Sequence, residues 1–342
     1  MARIAVTDGI DENAAESLRE SGHEVVIGHH DANSLESGSL ADFDIVIIRS
    51  ATKMVKEAII ANSGGNGSLK MIIRAGVGVD NIDIDSATSC GVTVCNTPGA
   101  STNAVVELTI GHLLSSVRNI VRSDRKMRDG VWAKKEMRGS ELRGKRLGLI
   151  GYGRIGANVA KYSLAMDMNV CAYDPHKKID EPVKQYDSYE KVLKSADIVL
   201  IAVHLDDFTR DMVDKRWFDL MKDGVYFINI SRGEIVDENA LIEALKSGKI
   251  KSAGLDVIRN ELSTEIKSSP VINYARNSNN LIITPHIAGL TVDSEYKAAK
   301  YSLETIRSYP SSMVHLENLR LLYLKASCYL YQSFSILIYF FL

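Results

Sequence analysis

Cysteine is scarce in this 342-residue sequence, and no two of the four present, Cys90, Cys95, Cys171 and Cys328, have the close spacing of a zinc knuckle or a redox motif. They sit mostly in apolar, strand-like runs and read as reduced thiols of a cytosolic protein, with no metal site expected. Net charge is nearly absent as well. The 41 Lys and Arg almost cancel the 43 Asp and Glu, leaving a formal charge of -2, which excludes the electrostatic footprint of a nucleic-acid binder. A local basic pocket for an anionic small molecule stays open. A leading hydrophobic segment is missing too: after MAR the apolar run of MARIAVTDGI ends by Asp8, too soon for a signal peptide, and the expected location is cytoplasmic. From Tyr309 the character changes, and the apolar, aromatic stretch 329–342 has fourteen residues, short of the roughly 18 to 20 that span a bilayer. That tail is expected to be poorly ordered or docked hydrophobically rather than to anchor in a membrane.

What is present is 45% apolar residues, enough in a chain of this length for two cores. Short apolar runs at Arg3 to Thr7, Glu24 to Ile27, Asp44 to Ile48, Lys70 to Arg74 and Val92 to Cys95 alternate with helix-length polar segments. That alternation predicts a parallel sheet between helices. After the turn Asn96-Thr97-Pro98-Gly99, a plausible hinge, one long helix is expected from Ser101 to about Leu113 and on towards Met127. A second series of strands then runs through Arg146 to Ile150, Val170 to Tyr173, Ile198 to Val203, Val225 to Ile230, Ala253 to Val257 and Leu281 to Thr284, with a last helix near Thr291 to Ser308. The expected fold is α/β, with two doubly wound parallel-sheet domains. Residues 97–289 would form a Rossmann-type NAD domain inserted into a flavodoxin-like substrate domain made of 1–96 and 290–310, leaving 311–342 as the atypical tail. The last helix would cross back onto the first domain.

Gly151-Tyr152-Gly153-Arg154-Ile155-Gly156 follows a predicted strand and opens a predicted helix, the context that turns a glycine pattern into a dinucleotide fingerprint. Gly151 permits the tight turn, Gly153 lets the backbone approach a pyrophosphate, and Gly156 lets the helix pack on the sheet. Asp174 ends the next strand, 18 residues beyond Gly156, where a carboxylate accepts from the ribose hydroxyls and repels a 2′-phosphate, favouring NAD over NADP. Three further side chains follow later strands. Arg232 offers a planar fork that suits a carboxylate, His286 in Thr284-Pro285-His286 is a candidate base, and Glu261 would orient that His and stabilise its charged form. Each alone is ordinary: a surface Arg, a loop Glu, a structural His.

The order Arg, Glu, His, at spacings of 29 and 25 residues after an upstream glycine fingerprint, resembles the D-isomer-specific 2-hydroxyacid dehydrogenases. The resemblance runs from about Arg3 to Ile306 and is carried also by 49–53 (RSATK), 74–83 (RAGVGVDNID), 96–99 (NTPG), 139–145 (GSELRGK), 231–237 (SRGEIVD) and Pro285-His286. Within the family, 49–53 and 74–83 are most similar to D-3-phosphoglycerate dehydrogenases. The resemblance implies that backbone amides around Gly76, Val77 and Gly78 cradle the substrate carboxylate, while Arg49, Lys53 and Arg74 favour a phosphate end. It assigns Asp256 to the nicotinamide carboxamide, groups His204 with the cofactor contacts, and places Trp132 on the dimerisation arm of a homodimer; a buried Trp is the alternative. The chain departs from the family at Leu262 and Asp206, where proline is frequent, and at Ser101, where asparagine is common. It also stops without the regulatory domains of the longer phosphoglycerate dehydrogenases, so serine feedback is not expected.

In the implied reaction Arg232 and the loop 76–78 hold the carboxylate, neutral His286 takes the hydroxyl proton as hydride leaves, and Glu261 stabilises the imidazolium. Three readings compete: oxidation of D-3-phosphoglycerate to 3-phosphohydroxypyruvate in serine biosynthesis, or the reverse; reduction of glyoxylate, hydroxypyruvate or another 2-keto acid; and a non-enzymatic NAD-sensing corepressor-like protein. The intact Arg, Glu and His argue against the third, and the basic Arg49 and Lys53 favour the first over the second.

Overall fold

A computed structural model describes residues 1–308 apart from 262, 264 and 265. Its first unit is Met1–Leu303; beyond that only the last turn of the final helix, to Ser308, is described, so the tail from Tyr309 and the departure at Leu262 lie outside the described residues. Five short parallel strands, β1 (Arg3–Val6), β2 (Glu24–Ile27), β3 (Ile45–Ile48), β4 (Met71–Arg74) and β5 (Thr93–Asn96), form a sheet in the order β2-β1-β3-β4-β5. This is the flavodoxin-like order. All four residues of β3 are buried, as expected of a central strand with helices on both faces.

The second sheet has seven parallel strands: β6 (Arg146–Ile150), β7 (Asn169–Tyr173), β8 (Lys184–Gln185), β9 (Ile198–Ile201), β10 (Val225–Asn229), β11 (Ile250–Leu255) and β12 (Leu281–Ile283). Their order, β12-β11-β10-β9-β6-β7-β8, reverses direction at the β6/β9 boundary, the switch point where open α/β sheets bind ligands. Alternate residues serve opposite faces. Val199, Ile201 and Phe227 enter one core, whereas Ile198, Leu200 and Ile228 enter the other together with Val106, Leu113 and Val117 of the helix Thr102–Arg118.

Two expectations are corrected. The single long helix is two, Thr102–Arg118 and Ile120–Arg128, bent by 66° at Asn119, whose φ of 55° ends the first helix in the left-handed region that asparagine tolerates. The short edge strand β8 has no counterpart in the expected series, because Lys184 and Gln185 are both exposed and carry no apolar signal. The last helix, Val292–Ser308, places Glu295 in an ion pair with Arg49, one residue beyond β3. Among the described residues no single helix is long and apolar enough to cross a membrane.

Candidate active site

The fingerprint lies at the switch point. Gly151 follows β6 with φ of 94°, and a Cβ there would strike the carbonyl of Ala202 beyond β9, so only glycine lets these neighbouring strand ends close up. Gly153 is the N-cap of the helix Arg154–Ala165 and makes no side-chain cap, leaving first-turn N–H groups available to an anion. A Cβ at Gly153 would meet nothing within 4 Å, so the space before those amides is open. Asp174 braces the turn: one carboxylate oxygen accepts from the Tyr152 N–H at 2.8 Å and the other from the His176 N–H at 2.9 Å. A carboxylate has about four acceptor positions, so two remain for hydroxyl groups. This geometry fits a dinucleotide.

Arg232, Glu261 and His286 follow β10, β11 and β12, so parallel pairing delivers all three to one end of the sheet. His286 Nδ1 is hydrogen-bonded to Glu261 Oε1, which leaves Nε2 as the free nitrogen. His286 also has φ of 54°, and its neighbour in the pair follows Asn260 at 53°. A non-glycine residue held there costs on the order of 1–3 kcal/mol and persists only when its surroundings fix it. Asp256 does much of that fixing. Fully buried, its carboxylate accepts from the Thr284 hydroxyl at 2.5 Å, the Ile287 N–H at 3.0 Å and the Ala288 N–H at 2.8 Å, while its carbonyl accepts from the His286 N–H at 2.7 Å.

Arg232 reaches across to the loop after β4. Its Nε and Nη2 donate to the two oxygens of Asp80 at 3.1 and 2.9 Å, and Nη1 donates to the Ser231 carbonyl at 2.7 Å. Of five N–H groups, one on each terminal nitrogen is left, the end-on fork that grips a carboxylate. A Cβ at Gly78 would fall on Nη2 of this guanidinium, so glycine permits the contact. Burial opposes the charge on Asp80, but the hydrogen bonds and charge of Arg232 outweigh it and hold the carboxyl below its ordinary value. Arg74 lies alongside. Burial, reinforced by the charges of Arg232 and Arg49 and opposed by Asp80, pushes its guanidinium down to about 10, still protonated at neutral pH, and its buried Nε has no partner. Two guanidiniums against one aspartate make this an anion-seeking corner.

These groups line a cleft of about 710 Å³ whose wall carries Lys53, Arg74, Arg210, Arg232 and His286 together with Asp80, Glu261 and four further acids, Asp83, Asp206, Asp207 and Glu234. It can hold a carboxylate on Arg232 beside a paired imidazole that exchanges a proton. Residues 110–288 match the model of the D-isomer specific 2-hydroxyacid dehydrogenase, NAD binding domain. A hydroxypyruvate reductase of Thermotoga maritima is 37% identical over 89% of this chain and 97% of its own length. The chain belongs to the D-isomer-specific 2-hydroxyacid dehydrogenase family. A D-3-phosphoglycerate dehydrogenase of Methanocaldococcus jannaschii is 38% identical over 90% of this chain, which spans only 57% of that protein. The crystal structure of an Aquifex aeolicus D-lactate dehydrogenase, complexed with NAD and lactic acid, superposes with a TM-score of 0.79 at 29% identity, covering 89% of this chain and 94% of that one. The chain is thus an NAD-dependent oxidoreductase acting on the CH–OH group of a small 2-hydroxy acid.

The other residues expected from the family have the following surroundings. Arg49, expected at a phosphate end, has its guanidinium ion-paired with Glu295. The Gly76 N–H donates to the Arg74 carbonyl at 2.8 Å, so among the described residues only the Val77 and Gly78 amides of that trio have no main-chain acceptor. Asp256, expected at the nicotinamide, has three of its acceptor positions filled by the turn that carries His286. His204 is exposed and paired with Asp206 at 2.7 Å. Asp206 itself, where the family often has proline, closes the turn by accepting from the Phe208 and Thr209 N–H groups at 2.9 and 2.8 Å. Ser101 serves as N-cap position of the helix Thr102–Arg118. Trp132 is 77% exposed, which removes the buried alternative. Sequence reasoning assigned nothing to Asp80 or Arg210, the first lying 152 residues from the arginine it holds.

Proposed function

We propose that the protein oxidises D-3-phosphoglycerate to 3-phosphohydroxypyruvate, or runs the reverse reaction. The observation that carries this reading is that two cations of the cleft wall, Lys53 and Arg210, are not neutralised by an ion pair. Among the described residues neither side chain has an ion-pair partner, while half-buried Arg74 has an unpartnered Nε. A substrate with one carboxylate needs only the Arg232 fork; a second anionic group gives the remaining cations something to hold. The Arg232 fork and the Val77 and Gly78 amides take the carboxylate, and His286 Nε2 accepts the hydroxyl proton. Glu261 stabilises the imidazolium, and in reduction the same pair returns the proton. NAD, when bound with Asp174 at its ribose, supplies the hydride acceptor.

A second reading, reduction of hydroxypyruvate or another unphosphorylated 2-keto acid, is favoured by the engagement of Arg49 with Glu295 and by the similarity to the hydroxypyruvate reductase, 97% of whose length is matched. Residues 1–96 with 290–310 acting as substrate domain and 97–289 as cofactor domain accords with the two sheets and the Arg49–Glu295 pair, positions 309 and 310 lying outside the described residues. A homodimer built on the segment around Trp132 accords with the exposed Val131 and Trp132 beside Ile120, Val121 and Met127. Steady-state rates on 3-phosphoglycerate, glycerate, 3-phosphohydroxypyruvate, hydroxypyruvate and glyoxylate test the substrate. A kcat/KM at least tenfold higher for the phosphorylated acids is expected, and equal or higher values for the unphosphorylated ones would overturn it in favour of the second reading.

A further inference from the structure

The helix Thr102–Arg118 carries a histidine that the proposed reaction does not use. His112 is 3% exposed, and its Nε2 lies 2.9 Å from the Thr284 hydroxyl, the same hydroxyl that meets Asp256 Oδ1 at 2.5 Å. The direction of these bonds follows from the donors available. A carboxylate only accepts, so the single Thr284 hydroxyl proton goes to Asp256, and the Thr284 oxygen must accept from His112 Nε2–H. The imidazole is then the neutral Nε2–H tautomer. Its Nδ1 lone pair is the atom left without a partner, facing the backbone of Gly254, where a Cβ would come within 2.8 Å. Burial also lowers the pKa of His112, with Asp256 opposing, in keeping with a neutral ring.

The chain continues from Asp256 to the backbone on both sides of His286, through the Ile287 and Ala288 N–H groups and through its own carbonyl to the His286 N–H. We propose that His112 is a positioning residue for His286: by donating to Thr284 it orders the Thr284–Asp256 contact that holds the catalytic imidazole in its left-handed turn. This inference rests on the reading of His286 as the acid-base group. It makes the helix Thr102–Arg118 part of the catalytic frame as well as a core element, since an unordered Thr284 hydroxyl would loosen one of the bonds that keep His286 at φ of 54°.

The test separates donation from packing. His112→Phe fills the same space without a donor, whereas His112→Gln restores an N–H at about the position of Nε2; Thr284→Val cuts the chain from the other side. His112→Phe and Thr284→Val should each lower kcat about tenfold, the worth of one buried hydrogen bond, with KM for NAD and the acid unchanged. His112→Gln should return to within about twofold of the parent. In the protein without substrate, the ring resonances of His286, assigned by their loss in His286→Ala, should shift in the Phe and Val variants and recover in the Gln variant. If His112→Phe matches the parent in kcat and His286 resonances, or if Gln is as impaired as Phe, the inference fails and His112 is only a packing residue. Should His286→Ala itself keep full activity, the failure lies with the acid-base reading instead.

Discussion

His286 and Lys53 face one cleft, yet the first is tied down through both its ring and its backbone whereas the second has no partner among the described residues. Arg232, Glu261 and His286 come from strand ends of one sheet, with Glu261 on the His286 ring and Asp256 beneath its turn, while Asp80, from the loop after β4 of the other sheet, holds Arg232. Lys53 and Arg210 come instead from loops above different sheets and stand exposed. Rigid groups suit chemistry shared by all 2-hydroxy acids, since a reacting proton tolerates little displacement. Free cations suit the variable end of the substrate, where charge matters more than exact placement. On the proposed reading, the difference teaches that reaction type and substrate identity are encoded by separate residues.

Substitutions that break the comparison should be felt in proportion to how firmly the residue is held. His286→Ala should lower kcat by about 10²- to 10⁴-fold in both directions, with NAD affinity intact by direct titration. Asp174→Ala should weaken NAD by about tenfold or more and leave NADP little changed, because a charge-assisted acceptor for the ribose is lost together with the repulsion of a 2′-phosphate. Titrating both cofactors checks this, and an unchanged preference would count against the assignment.

Milder effects sharpen the contrast. Asp80→Asn keeps shape but removes the charge that orients Arg232, so KM should rise about tenfold, and equally for phosphorylated and unphosphorylated acids. Lys53→Ala should raise KM only about two- to fivefold, because the site is exposed and screened, and only for the phosphorylated acid. A Lys53 variant that harms both substrates alike would remove the distinction between the two sets.

Much of this was legible in the sequence. Central parallel strands buried on both faces read as apolar runs, so both sheets could be traced, and Arg232, Glu261 and His286 stand out because each follows such a run. The break at Asn119 was not, since one left-handed asparagine leaves no periodic trace. Nor were the long-range pairs. Asp80 holds Arg232 across 152 residues and Glu295 takes Arg49 across 246, and no local pattern announces a partner at that distance. Arg49 shows the consequence: a basic residue of the expected motif has an acidic partner that the motif does not announce. Leu262 and the tail from Tyr309, both noted in the sequence, lie outside the described residues.

The central claim, that Glu261 and His286 work as one acid-base unit, is tested most directly by the rates of Glu261→Gln and His286→Ala, singly and together. Glutamine keeps a hydrogen-bonding group at Nδ1 but removes the carboxylate charge. Glu261→Gln should lower kcat about tenfold or more, and adding it to His286→Ala should cost little further, because the two act through one proton transfer. Losses that add in full, or a Glu261→Gln enzyme that matches the parent, would contradict the account and leave Glu261 a bystander.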